Sequence, residues 1–200
     1  MAGNEHYYTE HPTSEIRERS FTQNIRNTEL SLLSVSGVFA FENKVDKASE
    51  LLIKAFAPSG GTVLDLGCGY GAIGLFIKAM FKDQTVYLSD INERAVEYAL
   101  QNARNNRLEI TAIKSDLFSA FENTTFDDIV TNPPFAAGKK ILSSLIEQAY
   151  DYLNTNGALW ITAYHNKGGS TLKKMMEERF SNVEDVEKSG GIRVYRSIRC

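Results

Sequence analysis

An apolar run ends on three closely spaced glycines in Val63-Leu64-Asp65-Leu66-Gly67-Cys68-Gly69-Tyr70-Gly71, and from Ala72 the apolar spacing becomes helical. A strand that turns tightly into a helix needs glycine where the backbone is left-handed, and it leaves the first helical N–H groups free to meet a ligand. The alternation then recurs. Short β-type runs at 62–66, 85–89, 109–113, 126–131 and 158–164 are separated by helical patterns at 72–81, 93–105 and 139–153, the last closed by Asn156-Gly157. A final helix is predicted at 171–180, and β-type segments at 183–186 and 192–198 flank Ser189-Gly190-Gly191 as a hairpin. This pattern predicts an α/β fold: a Rossmann-like, doubly wound, mostly parallel seven-stranded sheet with an antiparallel C-terminal strand. Ligands bind such sheets beyond the carboxyl ends of the strands, so the candidate chemistry lies at 65–71, Asp90, Asp116 and Asn132.

Ahead of this unit, the spacing predicts a helix at 44–56, and residues 30–35 and 37–41 read as two short strands around a turn. Residues 1–43 are expected to form an arm with short strands packed on a domain at 44–200. A chain of 200 residues suits one such domain. It lacks a membrane-length apolar run and a basic-then-apolar amino terminus, so a cytoplasmic protein is expected. Cys68 reads as a small residue in a tight turn. His6, His11 and His165 lack metal-ligand spacing, so no metal is expected. The formal charge of -3 argues against indiscriminate coating of nucleic acid. Local basic stretches (Arg17, Arg19 and Arg26; Lys188, Arg193, Arg196 and Arg199) are compatible with phosphate contact or with a solvated edge. Tyr7 and Tyr8 beside the amino-terminal arginines suit single-stranded RNA as well as a docking arm.

Gly69, Gly71 and Gly74 satisfy a dinucleotide-type G-x-G-x-x-G, with Asp90 about twenty residues on. Asp65 argues otherwise, because a carboxylate beside the glycines would repel a pyrophosphate and attract a cation. S-adenosylmethionine carries an ammonium and a sulfonium and no phosphate. It is the expected cofactor, with Asp65, Gly67, Cys68, Gly69 and Gly71 forming its loop. Asp90 is placed to accept from the ribose hydroxyls, with Ile91 against the adenine; Asp116 is placed to accept from the adenine amine, with Leu117 over the ring.

The strand at 126–131 delivers Asn132-Pro133-Pro134-Phe135 to the same sheet edge. An exocyclic base amine is a poor nucleophile because its lone pair is delocalised into the ring. Accepting its two N–H groups at the Asn132 side-chain oxygen and the Pro133 carbonyl would aim the lone pair at a methyl carbon. Two prolines stiffen the loop, and Phe135 offers a face for an unpaired base.

With both motifs in view, the chain resembles the small-domain class I methyltransferases that modify ribosomal RNA at guanine N2, especially their short archaeal members. The resemblance also includes His6-Tyr7-Tyr8, Ser36-Gly37-Val38-Phe39, Lys44-Val45-Asp46, Ala137-Gly138-Lys139 and Gly190-Gly191-Ile192-Arg193-Val194. It implies that Phe39, Lys44 and Asp46 fold over the donor pocket and that Lys139 faces RNA phosphate. Arg17, Arg19, Arg193 and Arg196 are the other candidate RNA contacts. The larger bacterial relatives carry an extra amino-terminal copy of the domain, which this chain lacks. Three other readings compete. A similar N-P-P-Y loop serves protein glutamine methyltransferases acting on release factors, the same acceptor pair suits adenine N6, and an RNA-binding assembly module could keep the pocket without catalysis.

Overall fold

The computed structural model describes residues 15–134 and 138–200. The elements run β1 (Glu18–Ile25), β2 (Thr28–Val35), α1 (Lys47–Ala55), β3 (Thr62–Leu66), α2 (Ala72–Met80), β4 (Thr85–Asp90), α3 (Glu93–Asn105), β5 (Thr111–Lys114), β6 (Phe126–Thr131), α4 (Lys139–Tyr152), β7 (Leu153–Tyr164), α5 (Gly169–Phe180), β8 (Glu184–Ser189) and β9 (Ile192–Ile198). Seven strands form one sheet in the order β5-β4-β3-β6-β7-β9-β8. β9 runs antiparallel to both its neighbours, while β3 to β7 pair in parallel. From β3 the sheet grows outward through β4 and β5, and the chain then returns to β6 on the other edge of β3. That reversal opens a crevice above the carboxyl ends of β3 and β6. The architecture is the expected doubly wound, Rossmann-like α/β sheet with an antiparallel strand at its C-terminal end.

Alternation along each strand divides the interior in two. Val63, Val130 and Trp160 face a core shared with α1, α2 and α3, whereas Leu64, Ile129 and Ile161 face α4 and α5. Trp160 packs edge-on against Phe56 with ring centroids 5.4 Å apart, and its Nε1 donates to Asp128 at 2.9 Å, so its one polar atom is satisfied in the core. In the C-terminal hairpin, Gly190 and Gly191 both take positive φ (53° and 83°), as a tight turn between β8 and β9 requires.

The amino-terminal segment differs from expectation. The hairpin lies at Glu18–Val35, with Arg26 and Asn27 at positive φ between its strands, and residues 37–41 form no strand. β1 hides its pattern because it is polar and mostly exposed, with only Ile25 fully buried. β2 is anchored through α3. Leu33 N donates to Asn102 Oδ1 at 2.8 Å and Asn102 Nδ2 returns a bond to Leu33 O at 3.0 Å; Asn106 repeats the exchange with Ser31 at 3.0 and 2.8 Å. Two asparagines one helical turn apart thus supply the backbone partners that a third strand would offer.

Helix α4 stops at Tyr152, and Asn156-Gly157 do not cap it. Instead, Asn156 N donates to Arg199 O and Gly157 O accepts from Arg199 N, which ties this irregular start of β7 to the end of β9. Helix α1 begins at Lys47 because Asp46 caps it, accepting from Ala48 N and Ser49 N. β5 and β8 lie one to three residues later than expected at their ends.

Asn102 is fully buried and also donates to Tyr70 O at 2.9 Å, whereas the bonds of Asn106 to Ser31 are exposed. Asn102→Ala is expected to destabilise the fold by about 2–3 kcal/mol in urea denaturation, and Asn106→Ala by about 1 kcal/mol or less. Equal costs would show that the hairpin does not depend on the buried bonds.

Candidate active site

The carboxyl ends of β3, β4, β5 and β6 surround an open cleft of about 930 Å³, and a smaller recess of about 320 Å³ adjoins it. Phe39, Gly67, Gly69 and Asn132 line both. The glycine turn forms the floor. Gly67 N and Cys68 N both donate to Ser89 O, at 2.8 and 2.9 Å, and Gly67, Gly69 and Gly71 all take positive φ. Gly69 N donates to Asp90 Oδ2 at 2.9 Å, while Asp90 Oδ1 accepts from Asn92 N at 2.9 Å. Burial raises the Asp90 carboxyl, opposed by its bonds to Asn92, Gly69 and Ile91. Burial, then Asp90 and Asp65, push the Cys68 thiol up, which suits a space-filling residue.

Ile91, Asp116, Leu117, Pro133 and Pro134 all line the cleft, as does Val38 of the Ser36–Phe39 segment; Ser115, Thr131, Ile141 and Leu145 line it too and carry no motif signal. Asp65 lines neither cavity. It is fully buried beneath the turn, where Oδ2 accepts from Gly74 N at 2.7 Å and Oδ1 has no partner among the described residues. Its geometry is that of an acceptor for the start of α2. Phe135 lies outside the described residues, as do His6, Tyr7, Tyr8, His11 and Ala137.

The flap at 36–41 hangs from α3. Asn92 Nδ2 donates to Gly37 O at 2.8 Å and Arg94 donates to Ser36 O at 2.7 Å, leaving Val38 and Phe39 against the cleft. Both anchors were missed, and their only sequence signal was an Asn at the N-cap of a helix following Asp90. Asp46 lines the recess, whereas Lys44 is exposed and lines neither cavity. Across the cleft, Asn132 Nδ2 donates to Ser49 Oγ at 3.1 Å and to Asp46 Oδ1 at 3.3 Å, so Ser49 is a further residue that motif reading passed over.

None of the expected RNA contacts lines either cavity. Lys139 is exposed at the start of α4. The Arg19 guanidinium lies 4.4 Å from the Phe41 ring and that of Arg17 lies 5.9 Å from it, so both pack on the flap. Arg196 is paired with Glu184 at 2.9 Å and lies 5.2 Å from the Trp160 ring; Arg193 donates to Ile192 O. Both stand on β9, two strands from β6.

The described lining carries Asp46, Asp90 and Asp116 and no Lys, Arg or His. Such a cleft repels phosphate and favours a cation beside an apolar ring. The Tyr70 hydroxyl in the recess and the Thr131 hydroxyl in the cleft are buried without partners among the described residues, so the site is short of polar atoms that a ligand could bring. Among the described residues, no group of three or more His, Cys, Asp or Glu could hold a metal, and no helix is long and apolar enough to cross a membrane.

Burial pushes the Asp65 carboxyl up to about 7; the Gly74 N–H opposes the shift and Asp90 adds to it. From the ordinary value of 3.8 up to about 7, the unfolded chain has lost the proton that the folded chain still holds. Stability therefore falls as pH rises through that window and levels off above it. This group is expected to cost a few kcal/mol between about pH 4 and pH 8 in urea denaturation, and Asp65→Asn to remove that part of the slope. A parental slope in the variant would assign the dependence to other groups.

A family model described as the methyltransferase small domain matches residues 29–196. The uncharacterized protein YbxB of Bacillus subtilis (strain 168) is 38% identical over 197 residues, which cover 96% of this chain and 98% of that protein. Ribosomal RNA small subunit methyltransferase C of Haemophilus ducreyi is 34% identical over 88% of this chain, which spans 54% of that relative. Among solved structures, the T. thermophilus 16S rRNA N2 G1207 methyltransferase RsmC, in complex with AdoMet and guanosine, aligns with TM-score 0.79 and 26% identity, over 94% of this chain and 52% of that one. The chain thus spans about half the length of the relatives named as RNA methyltransferases. Its near-full-length relative is bacterial, and these relatives give no support to an archaeal kinship. The chain belongs to the methyltransferase small domain family.

Proposed function

We propose that the chain transfers a methyl group from S-adenosylmethionine to an exocyclic amine of an RNA base, guanine N2 of ribosomal RNA. The observation that carries this reading is the delivery of Asn132, Pro133 and Pro134 by β6 to the wall of a cleft whose described lining is acidic and carries no basic residue. The donor and guanosine in the T. thermophilus relative, and the names of the ribosomal RNA relatives, support it.

The lining suits the cofactor. Asp90 has lone pairs left for ribose hydroxyls beyond its backbone bonds, Ile91 and Leu117 offer apolar surfaces to an adenine, and Asp116 offers an acceptor. Asp46 and the Tyr70 hydroxyl in the recess suit the charged amino-acid end. Bound there, S-adenosylmethionine supplies an electrophilic methyl group on a sulfonium. Asn132 Oδ1 and the Pro133 carbonyl accept the two N–H groups of the target amine, which holds its lone pair out of conjugation with the ring. The two prolines keep these acceptors in place before the base arrives, and the flap residues Val38 and Phe39 restrict water. The proton lost from the methylated nitrogen passes to water, and the reading assigns no side chain as base.

In this reading, residues 1–43 serve the domain at 44–200 by supplying the flap. RNA phosphates meet Lys139 beside the cleft and Arg17 and Arg19 beside the flap, with Arg193 more distant. The compartment implied is the cytoplasm, where bacterial ribosomal RNA is found.

Asn132→Ala is expected to lower methyl transfer at least about a hundredfold while S-adenosylmethionine affinity, measured by calorimetry, changes little; Asp90→Ala is expected to weaken that affinity about tenfold or more. Transfer that survives Asn132→Ala would remove the asparagine from the mechanism. Incubation with labelled donor and total RNA from a strain lacking the protein, followed by mass spectrometry of nucleosides, is expected to yield N2-methylguanosine. Labelled N6-methyladenosine, or label in protein and none in RNA, would replace the guanine assignment.

A further inference from the structure

We infer that Asp46, the N-cap of α1, and Ser49, on its first turn, determine which end of the Asn132 amide faces the cleft, and so act as positioning residues for transfer. The inference rests on the proposed amine chemistry. An asparagine amide has nearly the same shape with its oxygen and nitrogen exchanged, and half a turn about its last side-chain bond swaps them. Only the oxygen can accept from an amine. Presented the other way, Asn132 would set its own N–H groups against those of the target.

The hydrogen bonds break this symmetry. Nδ2 of Asn132 donates to Ser49 Oγ at 3.1 Å and to Asp46 Oδ1 at 3.3 Å, across more than eighty residues of sequence. A carboxylate oxygen accepts and does not donate, so it discriminates between the amide ends. Asp46 is also held independently of Asn132, because the same oxygen caps α1 through Ala48 N at 3.0 Å and Ser49 N at 3.1 Å. Ser49 is buried within the helix and is equally fixed. Rotating the amide would lose the bond to Asp46 and bring its oxygen against an acceptor already serving two helical N–H groups, and Ser49 could then engage it only as a donor. With Nδ2 engaged, Oδ1 is the end left for the cleft that Asn132 lines. The helix cap thus sets the polarity of the catalytic loop before substrate arrives.

The test compares Ser49→Ala, Ser49→Thr, and Asp46→Ser combined with Ser49→Ala. Serine at 46 keeps a capping oxygen for α1 on a shorter side chain. In Ser49→Ala, kcat is expected to fall roughly tenfold, with RNA KM, donor affinity and melting temperature little changed; the double variant should fall further. Ser49→Thr, which keeps the hydroxyl, should recover most of the loss. An independent readout is the side-chain NH2 signal of Asn132 in 15N-labelled protein without RNA, assigned by its loss in Asn132→Ala. Its exchange with water should be slow in the parent and faster in Ser49→Ala. Unchanged kcat in the double variant, or a loss of kcat in Ser49→Ala matched by equal losses in donor affinity and melting temperature, would overturn the inference. If the parent transfers no methyl group to RNA, the functional reading fails and amide exchange alone decides. Protection lost in Ser49→Ala would then support the orientation, and equal exchange would reject it.

Discussion

The Asp90 carboxylate, bonded through one oxygen to Gly69 N and through the other to Asn92 N, is the interaction on which the rest of the site depends. The first bond fastens the glycine turn to the end of β4. The second places Asn92 at the start of α3, where its side chain caps the helix through Ala95 N and reaches back to Gly37 O. One carboxylate therefore joins the floor, the neighbouring strand end and the flap. It does so while partly exposed at the cleft, so the group that organises the site is also one a ligand can touch.

This arrangement concentrates negative charge. Asp46, Asp90 and Asp116 line the cavities and Asp65 lies beneath, with no basic side chain in the described lining to offset them. Two physical consequences follow. Asp65 keeps its proton to near neutrality, which lowers the charge the turn must tolerate, and the remaining carboxylates favour a cation over a phosphate. The G-x-G-x-x-G spacing shared with dinucleotide sites thus carries less information than the acidic residues around it.

Much of the fold was legible because apolar alternation is local. The glycine turn, Asp90, Asp116 and Asn132 converge at one cleft because each follows a strand, and parallel strands bring their carboxyl ends to one edge. What was not legible depended on distant polar partners. β1 buries too little to show a period, and residues 37–41 are apolar enough to mimic a strand while the backbone at Ser36 and Gly37 is held by Arg94 and Asn92, more than fifty residues away. Ser49 carries no motif of its own, and only its bond from Asn132, eighty-three residues on, marks it as part of the site. Charge along the chain leaves Arg196 open to phosphate contact or a solvated edge, because its partner Glu184 lies across the β8–β9 pair.

The amino-terminal segment is consequently less separable from the site than its position in the sequence suggests. β2 binds α3 through Asn102 and Asn106, and Arg94 and Asn92 on the first turn of the same helix bind the flap that follows β2. Both ends of α3 therefore grip one continuous stretch of chain, and Asn102 also holds Tyr70 O in the glycine turn. Beyond the flap the chain enters α1, whose first turn bonds Asn132. The two walls of the cleft are thus coupled through covalent continuity from residue 28 to residue 55 and through α3 behind it. A disturbance of the hairpin would reach Asn132 by way of the flap and the cap of α1, without passing through the sheet.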